Sequence, residues 1–249
     1  MGNKADKPKL IVGGKRLDGR AFNQLRPLKI EASVLKNADG SAYLEWGNNK
    51  VLAAVFGPKE AMPKHVQDPV KAIIKCKYSM APFSSMGEHS RSGPNRRAIE
   101  ISKVTREAFE NVVMLNDYPG SEIDIFIEIL QSDGGTRAAG ITAAAVALAS
   151  AGIHMKDIIY AVSFGKADGE IILDMNMIED NYSDCDMPTA VAPRNGDILL
   201  LQQDGNMTKD EMKKGLALIM EAGKTITKLQ KDALQKSYAE SGAKYENGV

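Results

Sequence analysis

Three short segments carry residue types suited to phosphate chemistry. The first is Asp133-Gly134-Gly135-Thr136-Arg137, set between an alternating apolar run and a run of small residues, where a strand would turn into a helix. Two glycines let backbone N–H groups approach an anion with no Cβ in the way, and a helix N-terminus adds partial positive charge. Thr136 could cap that helix or donate a hydrogen bond, and Arg137 offers a two-pronged fork for phosphate. The spacing is neither GxxxxGK[ST] nor GxGxxG, so no nucleotide-binding fold follows from it. A tight turn with a capping threonine and a surface arginine would look the same on spacing alone.

The second segment is Arg96-Arg97, at the start of a stretch with helical periodicity. Cations at a helix N-terminus oppose its dipole by about 0.3–1 kcal/mol each, so a pair there makes more sense beside an anion. Two solvated arginines are the plain alternative. The third is the acidic block Ile178 to Asp186. Asp184 and Asp186 are two apart and share a face of an extended segment, with Asp180 across a short turn. Three converging carboxylates could hold Mg²⁺, which takes a few carboxylates plus water and substrate phosphate. Alternatively, one of them could keep its proton and act as a general acid. An acidic loop capping a strand is again the bland reading.

Charge supports a divided surface. Lys plus Arg and Asp plus Glu number 32 each, so the chain has no overall attraction to a polyanion. Yet His89 to Arg106 carries Arg91, Arg96, Arg97, Lys103 and Arg106 against Glu100 alone, while Glu170 to Asp186 holds six acids and no Lys or Arg. His65, His89 and His154 are scattered, the first two in basic loops and better suited to a solvated surface than to catalysis, and Trp46 reads as core. Cys76 and Cys185 have no partner at metal-ligand or CxxC spacing, which removes zinc fingers and disulfide scaffolds.

The elements that must position these residues are short and mixed. Gln24 to Leu35, Ser41 to Trp46 and Lys50 to Phe56 read as a strand meander ended by Gly57-Pro58. Ala72 to Met80 reads as a further strand, followed by a long loop from Ala81 to Asn95. Arg96 to Met114 is helical by period, Ser121 to Leu130 alternates, and Ala138 to Gly152 is a helix apolar nearly all round, hence buried. A hairpin turns at Ala167-Asp168-Gly169, strands follow at Cys185 to Ala192 and Ile198 to Gln203, and a capped amphipathic helix runs from Thr208 to about Tyr238. The expected class is α+β with mixed β-sheets and packed helices. A duplicated strand-strand-helix unit is suggested only by the NADG and KADG turns. One domain is expected over residues 10–240, with tails at 1–9 and 241–249. No apolar run approaches the ~18–20 residues of a membrane span, and the N-terminus lacks an apolar leader core, so a cytoplasmic location is expected.

Taken together, a phosphate cradle, an arginine pair and a carboxylate cluster describe phosphoryl chemistry on a polyanion. Several motifs carry a family likeness: Arg16-Leu17-Asp18-Gly19-Arg20, Gly40 to Gly47, Gly57-Pro58, Asn95-Arg96-Arg97, the Asp133 to Arg137 turn, Ala167-Asp168-Gly169 and Glu179-Asp180 with Asp184 to Met187. In this order, over roughly residues 10 to 240, they resemble the RNase PH family, and within it the catalytic ring subunits of archaeal exosomes. No KH or OB-type segment follows, unlike polynucleotide phosphorylase.

The resemblance implies degradation of RNA from its 3′ end with inorganic phosphate as co-substrate, releasing nucleoside diphosphates. It implies that Gly135, Thr136 and Arg137 hold the attacking phosphate with help from Arg97, and that Asp180 and Asp186 sit at the scissile linkage. Asp180 is then the expected acid, and Asp186 with Asp184 would share Mg²⁺ with it. Arg91, Arg96 and Arg97 would lie near the RNA 3′ end, with Lys64 and His65 lining a pore. Pro188 stands where polynucleotide phosphorylase has a lysine, so any role of that lysine is absent or filled elsewhere. The implied partners are single-stranded RNA, a related non-catalytic RNase PH-like subunit in an alternating hexameric ring, and RNA-binding cap subunits. A homohexameric enzyme trimming tRNA and a silent RNA-binding ring subunit remain the alternatives; Arg137 and the Asp180/Asp186 pair speak against the second.

Overall fold

Five β-branched or aromatic runs build a first sheet. They are β3 (Leu28–Ala32), β4 (Gly40–Trp46), β5 (Asn49–Glu60), β6 (Ile73–Met80) and β7 (Ser121–Gln131), preceded by the two-residue strands β1 (Ile11–Val12) and β2 (Lys15–Arg16). The computed structural model describes residues 8–85 and 95–246. Spatial order is β3-β4-β5-β7-β6, antiparallel except for β6 beside β7. That parallel pair needs a crossover, and α1 (Arg96–Glu110) lies within it. Ile123, Ile125, Ile127 and Ile129 alternate along β7 and are all fully buried. Contrary to the expected stop at Gly57-Pro58, β5 continues to Glu60, with its register against β7 shifting between Phe56 and Lys59. A proline is tolerated there because the ladder is already interrupted.

The second sheet is wholly antiparallel. It contains β8 (Tyr160–Ala167), β9 (Glu170–Leu173), β10 (Cys185–Ala192), β11 (Asp197–Leu201) and β12 (Asp204–Gly205) in the order β11-β10-β8-β9, with β12 beside the start of β10. The Asp168-Gly169 turn joins β8 to β9 directly, both residues at positive φ. Asn37 to Asp39 instead belong to a longer connection between β3 and β4, and Gly40 opens β4, so the two similar tetrapeptides are not equivalent turns.

Between the sheets runs α2 (Thr136–Ser150), whose alanines are small enough for strands to approach on both sides. It packs on β4, β5 and β7 of one sheet and on β8 and β10 of the other. One apolar cluster therefore takes in both sheets, from Leu44 and Ile127 through Ala143 and Val146 to Val162 and Met187. Burying these side chains at about 25 cal/mol per Å² of apolar surface is the main source of stability. The long C-terminal helix α4 (Lys209–Glu246) lies against β3, β8 and β9. It opens with the expected capping box: the Thr208 N–H donates to Glu211 Oε2 at 2.8 Å and the Glu211 N–H donates to Thr208 Oγ1 at 3.3 Å.

A short helix was not anticipated. α3 (Met177–Tyr182) forms where the sequence suggested an acidic loop. Asn176 caps it, accepting from the Ile178 and Glu179 N–H groups, and Glu179 reaches back to the Asn176 N–H at 3.0 Å. Asn176-x-x-Glu179 is thus a capping box. No helix among the described residues is long and apolar enough to cross a membrane.

Candidate active site

The sheets, α1 and α2 meet at a polar cleft of ≈ 580 Å³. One wall is the start of α2, with Gly135 as N-cap at φ 68° and Thr136 and Arg137 in the first turn. Gly134 is also left-handed, at φ 69°, and a Cβ there would lie 2.5 Å from the backbone carbon of Asn176. Only glycine fits both the conformation and the space. The first N–H groups of α2 have no intrahelical acceptor and supply the donors an anion needs.

Thr136 is not the cap. It is the first helical residue, and its buried hydroxyl accepts a 2.9 Å hydrogen bond from Tyr78 Oη. Arg137 donates to Gln202 Oε1 and, at 3.4 Å, to Glu100 Oε1, while its buried Nε has no partner among the described residues. A guanidinium at a helix N-terminus is poorly placed against the dipole. Here two oxygens from α1 and the β11–β12 connection hold it in the cleft until a better anion arrives. Arg97 lines the same cleft from the first turn of α1, where Asn95 caps the helix by accepting from the Ala98 N–H at 2.7 Å.

The opposite wall is acidic. Asp180 comes from α3, Asp184 from the turn after it, and Asp186 from the start of β10. Burial raises the Asp180 pKa, opposed by the guanidiniums of Arg97, Arg137 and Arg26. Asp186 is pushed further, to about 7, first by burial and then by the negative charge of Asp180, with Arg137 pulling the other way. Its Oδ1 is buried and has no hydrogen-bond partner among the described residues. Such a site suits a carboxyl that keeps a proton near neutrality.

The same orphaned oxygen and its neighbours are hard donors of the kind Mg²⁺ selects. Among the described residues, however, no three His, Cys, Asp or Glu side chains are grouped to hold a metal. Asp180, Asp184 and Asp186 therefore line one cleft without forming a closed protein cage. The donor set fits an ion held by a carboxylate pair and completed by substrate oxygens and water.

Known proteins share the sequence pattern and the fold. Residues 24–154 match the model of the 3′ exoribonuclease family, domain 1, and residues 157–222 match its domain 2. The chain belongs to the RNase PH family. The boundary between the two RNase PH models falls between α2 and β8, so each sheet lies within one of them while α2 is shared by the packing of both. The exosome complex component Rrp41 of Archaeoglobus fulgidus is 56% identical over 241 residues, covering 95% of this chain and 93% of the relative. Rrp41 of Thermococcus kodakarensis is 55% identical over 225 residues, covering 90% of each. Rice Rrp46 superimposes with a TM-score of 0.79 at 26% identity, covering 88% of this chain and all of the other. A chain of the Archaeoglobus fulgidus exosome solved with RNA bound to its active site shares the fold, with a TM-score of 0.75 at 20% identity over 86% and 92% of the two chains.

Not every residue expected from the RNase PH likeness reaches the cleft. Gly135, Thr136, Arg137, Arg97, Asp180, Asp184, Asp186 and Pro188 line it. Arg96, exposed beside Arg97, does not. Lys64 and His65 form an exposed single turn, Lys64–Val66, between β5 and β6, and they are also outside the lining. Arg91 and His89 lie outside the described residues. His154 is exposed and bonded to Asp117 at 2.9 Å.

Sequence reasoning missed several participants. Glu100, Ser163, Gln202, Gln203 and Asp204 all line the cleft. Asp204 faces Asp186 across the β10–β12 pair and raises the pKa of both Asp180 and Asp186. It also missed the base of the site. Arg16 and Glu179 form a fully buried ion pair that anchors α3, and Arg16 also donates to the Leu173 carbonyl at 2.6 Å and the Asp174 carbonyl at 2.9 Å. Trp46 is core, as expected, but its Nε1 also donates to Asp174 Oδ2 at 2.9 Å. These partners lie more than a hundred residues apart, so no local pattern announces them.

Proposed function

We propose that this chain is the catalytic RNase PH-type subunit of an archaeal exosome and that it removes nucleotides from RNA 3′ ends by phosphorolysis. The reading is carried by the opposition of two walls: a helix N-terminus with two arginines faces a carboxylate pair whose more buried member titrates near neutrality. Neutral water as nucleophile brings no charge of its own for the first wall to balance. A trianionic transition state between two phosphates does.

In the reaction, inorganic phosphate rests on the Gly135 and Thr136 N–H groups and the Arg137 fork, displacing Glu100 from that fork. Arg97 balances charge where phosphate and the scissile phosphodiester meet. An oxygen of the phosphate attacks the phosphorus of the terminal linkage, the bond to the preceding ribose 3′-oxygen breaks, and a nucleoside diphosphate leaves. That 3′-oxygen takes a proton from the carboxyl pair. Three guanidiniums favour the Asp180 anion, whereas at Asp186 only Arg137 and the Met187 N–H do so against deeper burial and the charges of Asp180 and Asp204, so Asp186 is the better keeper of the shared proton. This differs from the expectation that Asp180 would be the acid. A Mg²⁺ ion, when bound, would be held by Asp180 and Asp186 with Asp184 nearby and would neutralise charge on the reacting phosphoryl oxygens.

The exosome assignment is supported by relatives more than half identical along nine-tenths of this chain, all exosome complex components. On this reading RNA is the polymer substrate, and a related RNase PH-like subunit completes a ring, with cap subunits added to it in a cytoplasmic complex. The test is degradation of an unstructured RNA by the chain purified with its co-expressed ring partner, with and without phosphate. Loss of RNA only when phosphate is present supports the reading. Equal degradation to monophosphates in phosphate-free buffer overturns it.

A further inference from the structure

We infer that Arg26, oriented by Asp174, is a positioning residue that turns the Gly134–Gly135 backbone toward its anion; the inference rests on the phosphorolytic reading of the cleft. Arg26 is not part of the cleft lining, and its side chain is almost wholly buried. It donates from Nη1 to the Asp133 carbonyl and from Nη2 to the Gly134 carbonyl at 3.3 Å. The other edge of the guanidinium grips Asp174, with Nη2 to Oδ1 at 2.6 Å and Nε to Oδ2 at 3.1 Å.

Asp174 is itself fixed from three more directions: by the Arg26 N–H at 2.7 Å, by Trp46 Nε1 at 2.9 Å and by Arg20 at 3.4 Å. Asn49 adds a bond from Nδ2 to the Gly134 carbonyl at 2.6 Å and accepts from the Asp133 N–H at 2.6 Å. In a planar trans peptide the carbonyl and the following N–H point opposite ways. Drawing the Asp133 and Gly134 carbonyls down onto Arg26 therefore sends the Gly134 and Gly135 N–H groups up, on the side of the cleft that Gly135 lines. Two consecutive left-handed glycines have few intrinsic restraints, so the orientation depends on what holds the carbonyls. A buried cation satisfied by a carboxylate and two carbonyls is an expensive device for packing alone, since an apolar core could fill that volume. Its yield is a fixed direction for the Gly135 N–H, one of the two backbone donors assigned to the phosphate. Arg26 also adds to the positive potential at Asp180.

Arg26→Lys keeps the charge but replaces the planar fork by one ammonium. In the assembled complex, the KM for phosphate should rise roughly 10- to 100-fold relative to wild type, while the KM for RNA changes little. Asp174→Asn should act in the same direction. A structural role alone would lower the thermal midpoint and reduce active protein without splitting the two KM values. An Arg26→Lys complex with wild-type phosphate KM overturns the inference. The second readout is the amide shifts of Gly134 and Gly135 in the full chain titrated with inorganic phosphate. Wild-type shifts should respond, and Arg26→Lys should move their starting positions and blunt the response. If the wild-type complex degrades RNA without phosphate, phosphorolysis falls, and unchanged amide positions in Arg26→Lys then separately overturn the positioning role.

Discussion

Asp180 and Asp186 reach one cleft from different elements, a capped short helix and the second residue of a strand, and burial together with the charge of the first holds a proton on the second. With the Asp186 pKa at about 7, phosphorolysis without added Mg²⁺ should fall as pH rises through that value, because the acid is lost. Adding Mg²⁺ should move the break to lower pH, since the ion competes with the proton for the same oxygens. A pH profile unaltered in Asp186→Asn would show that the titration belongs elsewhere.

The same raised pKa fixes a sign for stability. Below pH 4 Asp186 carries a proton folded or unfolded. Between there and about 7 the folded chain keeps a proton that the unfolded chain has lost, so this carboxyl costs stability progressively as pH rises. Asp186→Asn should therefore melt at a higher temperature than wild type at pH 8 and near the wild-type value at pH 4, while losing roughly 10²-fold or more in turnover. Differential melting at the two pH values measures it.

Arg137→Ala removes the fork but leaves the helix N–H groups. Turnover at low phosphate should drop by about 10- to 100-fold, with part recovered at high phosphate, because the loss falls largely on phosphate binding. Asp180→Asn should instead lower turnover with no recovery by phosphate. Steady-state rates over a phosphate series separate the two patterns.

Glu179 contributes to the site only through position. Glu179→Gln leaves Arg16 buried without a counter-charge, and breaking such a pair costs about 3–5 kcal/mol. Chemical denaturation should show that loss, accompanied by weaker activity as α3 and Asp180 shift. A variant as stable as wild type would mean that the pair is better solvated than its burial indicates.

The sequence was informative where chemistry is local. Asn95-Arg96-Arg97 and Asp133 to Arg137 form helix starts at one cleft, because glycine conformation and capping are decided within a few residues. β10 begins and ends where its apolar pattern does, at Cys185 and Ala192. The helix within the acidic block is not legible from the block itself, because its cap, Asn176, lies just outside it. Arg26 and Asp174 were invisible for a different reason. They are 148 positions apart, and a buried arginine has no local signature that distinguishes it from a solvated one. Lys64 and His65, expected at a pore and not in the cleft, form an exposed single turn between β5 and β6.

The most direct test of the account follows the nucleophile. The assembled complex is given unstructured RNA and inorganic phosphate labelled at phosphorus, and the released nucleotides are separated and counted. The account predicts nucleoside diphosphates with the label in the β-phosphate and none in the α-phosphate, because the α-phosphorus comes from the RNA. Unlabelled nucleoside monophosphates, formed at the same rate whether or not phosphate is present, would contradict it.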